Sequence, residues 1–404
     1  MRTHFSRTLL GVGALVATTM LMACSSSSNA NSNNSSNNNS SAAVANGTPT
    51  GNFVAAPGTT PGPAQIKPVQ NLVIGAIHVG SETDNGYNQA MHEGLLAMEK
   101  NLPNVKVIEA ENVATPDVSR VIEDMISKGA KLIFPMNFDY QDPALAEAQK
   151  HPDVVFEHPA GFKLAPNFGT FWADNLPQEY IMGQIAAKSS KSGKLGWVIG
   201  FPIPNILESI NAFEIGAKSV NPAATTQIIV DDAWVDTAKE QQAVRSLHDQ
   251  GVDVVAMLVD SPATVVKTAD QLSMKTIGFH CVCLQAAAGN SWLSGVGFQW
   301  GDLFTTFAKQ RMDGTWRAAS VFGAFGSAQD YAKIAPFGPS VDDATKALVQ
   351  QTTADLQSGK LQVFQGPIVD STGKTQIPAG QVGDPAALST STNWVVQGVS
   401  GKIN

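Results

Sequence analysis

From residue 71 onward the chain alternates short apolar runs with segments whose apolar residues fall at helical spacing, and it does so twice. NLVIGAIHV reads as a strand and GYNQAMHEGLLAMEKNL as the helix after it. VKVIEA, KLIFPM and DVVFEH continue as strands, separated by the helices DVSRVIEDMISKG and DPALAEAQKH. Asp117 stands where it can cap the first of these two helices and Gly129 where it can end it. A further helix covers 177–190. After KSSKSGK the pattern restarts, with KLGWVIG, TQIIVD, VDVVAML and KTIGFH as strands and PNILESINAFEIGAKSV, TAKEQQAVRSLHDQG and PATVVKTADQL as helices. Strands joined through helices run parallel, by right-handed crossovers, in a sheet covered on both faces. The two halves also share a local pattern: SKGAKLIF from Ser127 and DQGVDVVA from Asp249 each pass from a helix end through glycine into a buried strand.

The expected fold is therefore α/β, with two Rossmann-like lobes and a ligand cleft where the C-terminal ends of their strands face one another. The more than 300 residues of this region exceed what one core usually serves. Residues 68–191 with about 290–365 make the first lobe, 192–289 the second, and 366–404 a C-terminal extension. The stretch after 290 reads as WLSGVGFQW, helices at 301–312 and 342–358, and a final strand LQVFQG.

The N-terminus is of another kind. Arg2 and Arg7 precede an apolar run, Leu9 to Met22, and Leu21-Met22-Ala23 leads into Cys24. This resembles an export signal ending in the lipobox of bacterial lipoproteins; an ordinary secretory peptide and an uncleaved anchor are the alternatives. The resemblance implies removal of 1–23 and acylation of Cys24, each buried CH₂ of the acyl chains contributing roughly 0.8 kcal/mol of membrane affinity. Residues 25–67 are almost all Ser, Asn, Ala, Gly, Thr and Pro, with no acidic residue. They have too little apolar surface to offset the entropy of ordering and read, with Cys24, as a tether over 24–67. Ser25 is not the aspartate expected of inner-membrane retention, whereas a transport role points inward, so the choice of membrane stays open. No later stretch is long and apolar enough to span a bilayer.

The chain carries a net charge of -8, which becomes about -10 once Arg2 and Arg7 are removed. It has no basic block interleaved with aromatics, so nucleic acid is not an expected partner. With Cys24 assigned to lipid, Cys281 and Cys283 remain. The single residue between them argues against a disulfide, and with no second cysteine pair and only His280 nearby, no zinc site is expected.

Binding groups are expected at the strand ends. GSETDNGYNQAMHEG places Asp84, Asn85 and Gly86 in a polar turn, then Tyr87 and Asn88 on the first helical turn. That pattern serves either a ligand or a plain helix cap. Aromatics recur at the other ends: Phe138, Tyr140, Phe171, Trp172, Phe201 and Trp234. Taken singly each suits local packing; converging on a cleft, they suit a planar, mostly neutral ligand held between rings, with Asp260 reading its polar edge. The glycine pattern of a dinucleotide site and the P-loop lysine are both absent.

GSETDNGYNQAMHEG, NFGTFWADN, KLGWVIGFPIPNILESINAFEIGAKSVNP, DDAWVDTAKEQQAVRSLHDQGVDVVAMLVDSPA, KTIGFH and the late LQVFQGPIVDSTGK resemble the basic membrane protein (BMP) family of ABC-transporter substrate-binding lipoproteins. The likeness spans about 70–365. It implies a periplasmic-binding-protein-like type I fold, a cell-envelope location facing the periplasm or exterior, permease subunits and the lipid bilayer as partners, and a purine nucleoside or free purine base as ligand. The family's helix start maps onto Asp84, Tyr87 and Asn88, with Tyr87 stacking on the base; Trp234 becomes the opposing ring, and Asp260 of the D-S-P segment meets an exocyclic amine or ring N–H. Phe171 and Phe201 complete the expected site. Where the nucleoside branch has I-G-V-D-x-D-Q, this chain reads Ile277-Gly-Phe-His-Cys-Val-Cys. The missing acid favours a bare base and leaves His280 at the site mouth, as ligand donor or as packed side chain.

An enzyme would need a metal or poised nucleophile beside a general base, and neither H-x-E with P-C-x-x-C nor a metal-type aspartate cluster occurs. No cofactor is expected. A lipoprotein that senses a ligand and signals to a membrane partner is the alternative to an import component.

Overall fold

A computed structural model describes residues 52–53 and 66–403. The signal segment 1–23, Cys24 and all of the tether except 52–53 and 66–67 lie outside the described residues.

Two sheets dominate. In the first, the strands Val105–Ala110, Leu72–His78, Ala130–Met136, Val155–Pro159, Phe168–Ala173 and Ser320–Gly323 lie side by side in that order, all parallel, with Asn52–Phe53 antiparallel at the far edge. In the second the order is Val399–Ser400, Thr225–Val230, Lys194–Ile199, Val254–Leu258, Lys275–Gly278 and Trp292–Phe298, again parallel, with Ala332–Ile334 antiparallel at the edge. Each lobe thus repeats one winding: the chain lays its first strand, moves to one side for the second, then returns past the first for the third. That reversal leaves a crevice beyond the C-terminal ends of the first and third strands.

The central strands are buried almost end to end because helices cover both faces, whereas the outer strands Val105–Ala110 and Thr225–Val230 are only partly buried. Ile74, Leu132, Phe134 and Met136 face the larger core, whereas Ile77, Ile133 and Phe156 face a smaller one beneath the helices Val118–Ser127 and Gln141–Lys150. Gly129, at φ +96°, lets the chain leave Val118–Ser127 for the next strand. Asp117 makes no capping hydrogen bond and pairs instead with exposed Arg120. Helices Leu176–Ser189 and Pro204–Val220 cross at glycines: a Cβ on Gly183 would stand 1.9 Å from the Phe213 carbonyl oxygen, and one on Gly216 equally close to that of Tyr180. Nothing larger than glycine fits at that crossing.

Several expected boundaries move. Trp292–Phe298 pairs with Lys275–Gly278, so the second lobe keeps the chain past 289, and the return to the first lobe comes only after Phe298. Helix Gly301–Asp313 then packs on Tyr87–Asn101, where Trp300 and Phe304 close on Gly94. Ser320–Gly323 joins the first sheet before Ala332–Ile334 crosses back. LQVFQG forms no strand: it turns, burying Phe364 and leaving Gln365 in a single bridge to Val382. The extension after 366 adds a hairpin, Ile368–Val369 with Thr375–Ile377, and Val399–Ser400 at the edge of the second sheet. Asn211 anchors it, donating to the Trp394 carbonyl (3.0 Å) and accepting from the Val396 N–H (2.8 Å).

Candidate functional site

Between the lobes lies a cleft with about 350 Å³ of atom-free space, the open mouth included. Its lining comes from the ends of the two windings. The first lobe contributes Tyr87 after its first strand, Asn137 and Phe138 after its third, Ala160 after its fourth and Trp172 from its fifth. The second contributes Ile203, Asn205 and Ile206 after its first strand, Trp234 after its second, Leu258 and Asp260 at its third and His280 after its fourth.

Tyr87, Trp234, Asp260 and His280 are brought together. Tyr87 is buried and meets His280 edge to face across the lobes, with ring centroids 5.0 Å apart. Trp234 donates its indole N–H to Asp139 Oδ2 at 2.8 Å, a second tie between the lobes. The Trp234 carbonyl accepts from the Asp260 N–H at 2.8 Å, which sets the carboxyl beside the indole's own loop. Asp260 is 4% exposed and its Oδ2 has no hydrogen-bond partner. Burial pushes its carboxyl well above the usual range, helped by the negative charges of Asp84, Glu240 and Asp139. His280 is buried at φ +71°, a region few residues other than glycine adopt, and its Nε2 is likewise without a partner. Burial holds its pKa down at about 3, so the ring is neutral.

The other expected residues lie elsewhere. Asp84 is a helix-start ligand: its carboxylate accepts from the N–H groups of Gly86 (2.7 Å), Asn88 (3.0 Å) and Gln89 (3.0 Å) and from Asn88 Nδ2 (2.8 Å). Asn88 is used up in turn, its Oδ1 accepting from the Gly80 N–H. Neither side chain lines the cavity. Phe201 stands behind Trp234 at 4.9 Å, supporting that ring from outside the lining. Phe171 corrects the expectation most plainly, because it points into the first-lobe core, 1% exposed, against Phe134, Trp300 and Phe304. Its neighbour Trp172 reaches the cavity instead, with a buried indole N–H that has no partner. Side chains alternate along a strand, so of two adjacent aromatics one takes the core and the other the opposite side. Asn205, at the start of helix Pro204–Val220, is a lining residue that sequence reasoning passed over; its position directly after GFPIP was the available signal.

Cys281 and Cys283 form a disulfide, against expectation. Cys281 is extended (φ −124°, ψ 130°) and the chain then turns into a short helical stretch, Val282–Ala287, which brings the two Cα atoms to 5.1 Å, within the ordinary disulfide span.

The cavity offers rings, unpaired buried acceptors and no nucleophile paired with a base, which is the equipment of a binding site. Comparison with known proteins agrees. The family described as "ABC transporter substrate-binding protein PnrA-like" (Bmp) matches residues 71–360. A purine-binding protein of Brucella abortus is 34% identical over 336 residues, covering 83% of this chain and 94% of its own. A Haloferax volcanii protein described as the glucose-binding component of an ABC transporter is 30% identical, covering 80% of each chain. Among solved structures, an ABC transporter solute-binding protein of Aeropyrum pernix superposes with a TM-score of 0.63 over 76% of this chain and 94% of its own, at 14% identity, a likeness of fold. The chain belongs to the Bmp family of PnrA-like ABC transporter substrate-binding proteins, which bind their substrates and do not transform them.

Proposed function

We propose that this chain captures a purine base (adenine, guanine or a hypoxanthine-like base) and delivers it to the permease subunits of an ABC importer, held at the cell-envelope membrane by acyl chains on Cys24. The observation that carries the ligand class is the unpaired Asp260 Oδ2 inside a cavity walled by Tyr87, Trp172 and Trp234. A buried acceptor without a donor costs roughly 1–3 kcal/mol, more for a charged group. A ligand that brings ring N–H or amine donors on a flat apolar body removes that cost while filling space between rings. His280 Nε2, neutral and unpaired, is a second polar contact of the kind a purine edge supplies. The histidine in place of a carboxylate at the end of the strand Lys275–Gly278 favours the bare base over its nucleoside. The purine-binding relative supports the same reading.

Mass spectrometry of the small molecule retained by the purified protein, followed by calorimetry with bases, nucleosides and glucose, tests it. Bases are expected to bind most tightly. Tighter binding of nucleosides overturns the choice of a bare base, and binding of glucose alone overturns the purine reading. Incorporation of a fatty-acid probe, lost in Cys24→Ala, tests the anchor; equal labelling of both proteins removes it.

A further inference from the structure

Beside the cavity, the first lobe gathers a second set of side chains that ligand capture does not use. His78 ends the strand Leu72–His78, His92 lies on the second turn of helix Tyr87–Asn101, Glu109 comes from the strand Val105–Ala110, and Glu82 from the loop between His78 and that helix. His78 Nε2 is 2.9 Å from Glu109 Oε2, and His92 Nδ1 is 3.0 Å from the same oxygen and 3.6 Å from Glu82 Oε2. The potential ligand atoms of His78, Glu82 and Glu109 all lie within 4.8 Å of one another. Donor atoms around a tetrahedral ion with bonds of about 2.0–2.2 Å stand about 3.3–3.6 Å apart; the contacts at 2.9, 3.0 and 3.6 Å bracket that spacing, and side-chain rotation has to bring the remaining donors into it.

Charge and burial point the same way. Glu82, Glu109 and Glu111 converge here, and among the described residues no lysine or arginine forms an ion pair with any of them; their only basic neighbours are the two imidazoles. His78 is fully buried, so an ion held on its Nε2 would be screened from bulk water. Glu111 accepts from the Glu82 N–H (2.7 Å) and Ser81 Oγ (3.0 Å), which fixes the loop that presents Glu82.

We propose that His78, His92, Glu109 and Glu82 bind a divalent transition-metal ion of the zinc class. Two imidazoles with carboxylate oxygens suit such an ion, whereas magnesium and calcium take oxygen donors throughout. The ion ties the loop before Tyr87 to two strands and a helix of the first lobe, and so stiffens one wall of the neighbouring cavity.

Zinc chloride titrated into the purified full chain, read by calorimetry and by competition with a chromophoric chelator, is expected to show one ion bound per chain in the presence of excess magnesium. His92→Ala and Glu82→Gln, at positions water reaches, each weaken binding by about tenfold or more, with circular dichroism showing that both fold. His151→Ala, in the separate Glu123–Glu147–His151 cluster, leaves binding unchanged. X-ray absorption of the zinc-loaded wild type, which needs no variant, shows imidazole and carboxylate ligands without sulfur. No binding to the wild type, full affinity in both variants, loss in His151→Ala, or sulfur among the ligands overturns the assignment.

Discussion

The two walls of the cavity are built alike and equipped differently. On the first-lobe side Asp84 accepts four hydrogen bonds from its own helix start, Asn88 is engaged at both ends of its amide, and the Asn137 Oδ1 accepts from the Asp139 N–H. On the second-lobe side Asp260 and His280 are buried more deeply than Asp84, yet each holds an atom with no partner. Other buried atoms of the molecule also lack partners, but those of Asp260 and His280 stand on the cavity wall, where a ligand can supply one. The first wall supplies rings and shape, with the Trp172 N–H as its one unpaired polar atom among these residues; the second supplies polar recognition.

Removing the unpaired carboxyl breaks that comparison most severely. Asp260→Ala is expected to weaken purine binding by about 2 kcal/mol or more, roughly thirtyfold, the scale of a hydrogen bond to a charged group lost in a dry site. Wild-type affinity in this variant, measured by calorimetry, removes Asp260 from the site. Its titration sharpens the point. Burial raises the Asp260 pKa in the ligand-free cavity, and a purine donor that favours the carboxylate lowers it again, so binding releases protons and tightens as pH rises from the ordinary carboxylate value of 3.8 through the raised one. His280, at about 3, is neutral above pH 5 and adds nothing to that slope. Calorimetry in buffers of different ionisation enthalpy should detect proton release in the wild type and none in Asp260→Asn. Equal proton counts would assign the release to another group.

The rings come next. Tyr87→Ala and Trp234→Ala each forgo about 0.5–1.5 kcal/mol of ring pairing beyond the contact area lost, and Phe171→Leu, in the core, should alter the melting temperature and leave purine affinity alone. If Phe171→Leu weakens binding as much as Trp234→Ala does, the core placement of Phe171 is not what governs its role.

Asp84→Ala tests the first wall by itself. Loss of a helix-start acceptor costs about 1 kcal/mol of stability, seen as a lower melting temperature, with a smaller change in affinity than Asp260→Ala because no ligand donor is lost. The reverse ranking would make Asp84 a ligand contact.

What was legible in the sequence follows from the range over which each signal acts. The alternation of strands and helices is local, and both sheets follow it; Tyr87, Trp234, Asp260 and His280 stand at strand ends, which the same alternation locates. Choosing Trp172 over Phe171 required knowing which face of the strand Phe168–Ala173 meets the core, and that is decided by Phe134 and Phe304, far away in the chain. Whether Asp84 was free depended on the backbone N–H groups of Gly86, Asn88 and Gln89 turning toward it, a matter of loop geometry that residue types do not encode. The boundary near 290 failed for a topological reason: Trp292–Phe298 is apolar enough for either sheet, and pairing with Lys275–Gly278 places it in the second.

The smallest expected effect belongs to the contact that joins the walls. Trp234 Nε1 donates to Asp139 Oδ2 from an exposed position, so solvent competes for both partners and the net gain is about 0.5 kcal/mol. Because Asp139 follows a first-lobe strand and Trp234 a second-lobe one, opening of the lobes would break the bond. Asp139→Ala therefore changes the balance between open and closed forms, and affinity falls about twofold through that balance. Faster ligand release should account for most of the change, since the bond forms after the ligand has entered. Solution scattering gives the independent check: the radius of gyration should shrink on adding purine in both proteins, and the ligand-free variant should be the more extended of the two. Unchanged scattering in the wild type at saturating purine would remove the hinge from this account, and an unchanged release rate in Asp139→Ala would reduce the bond to a surface contact.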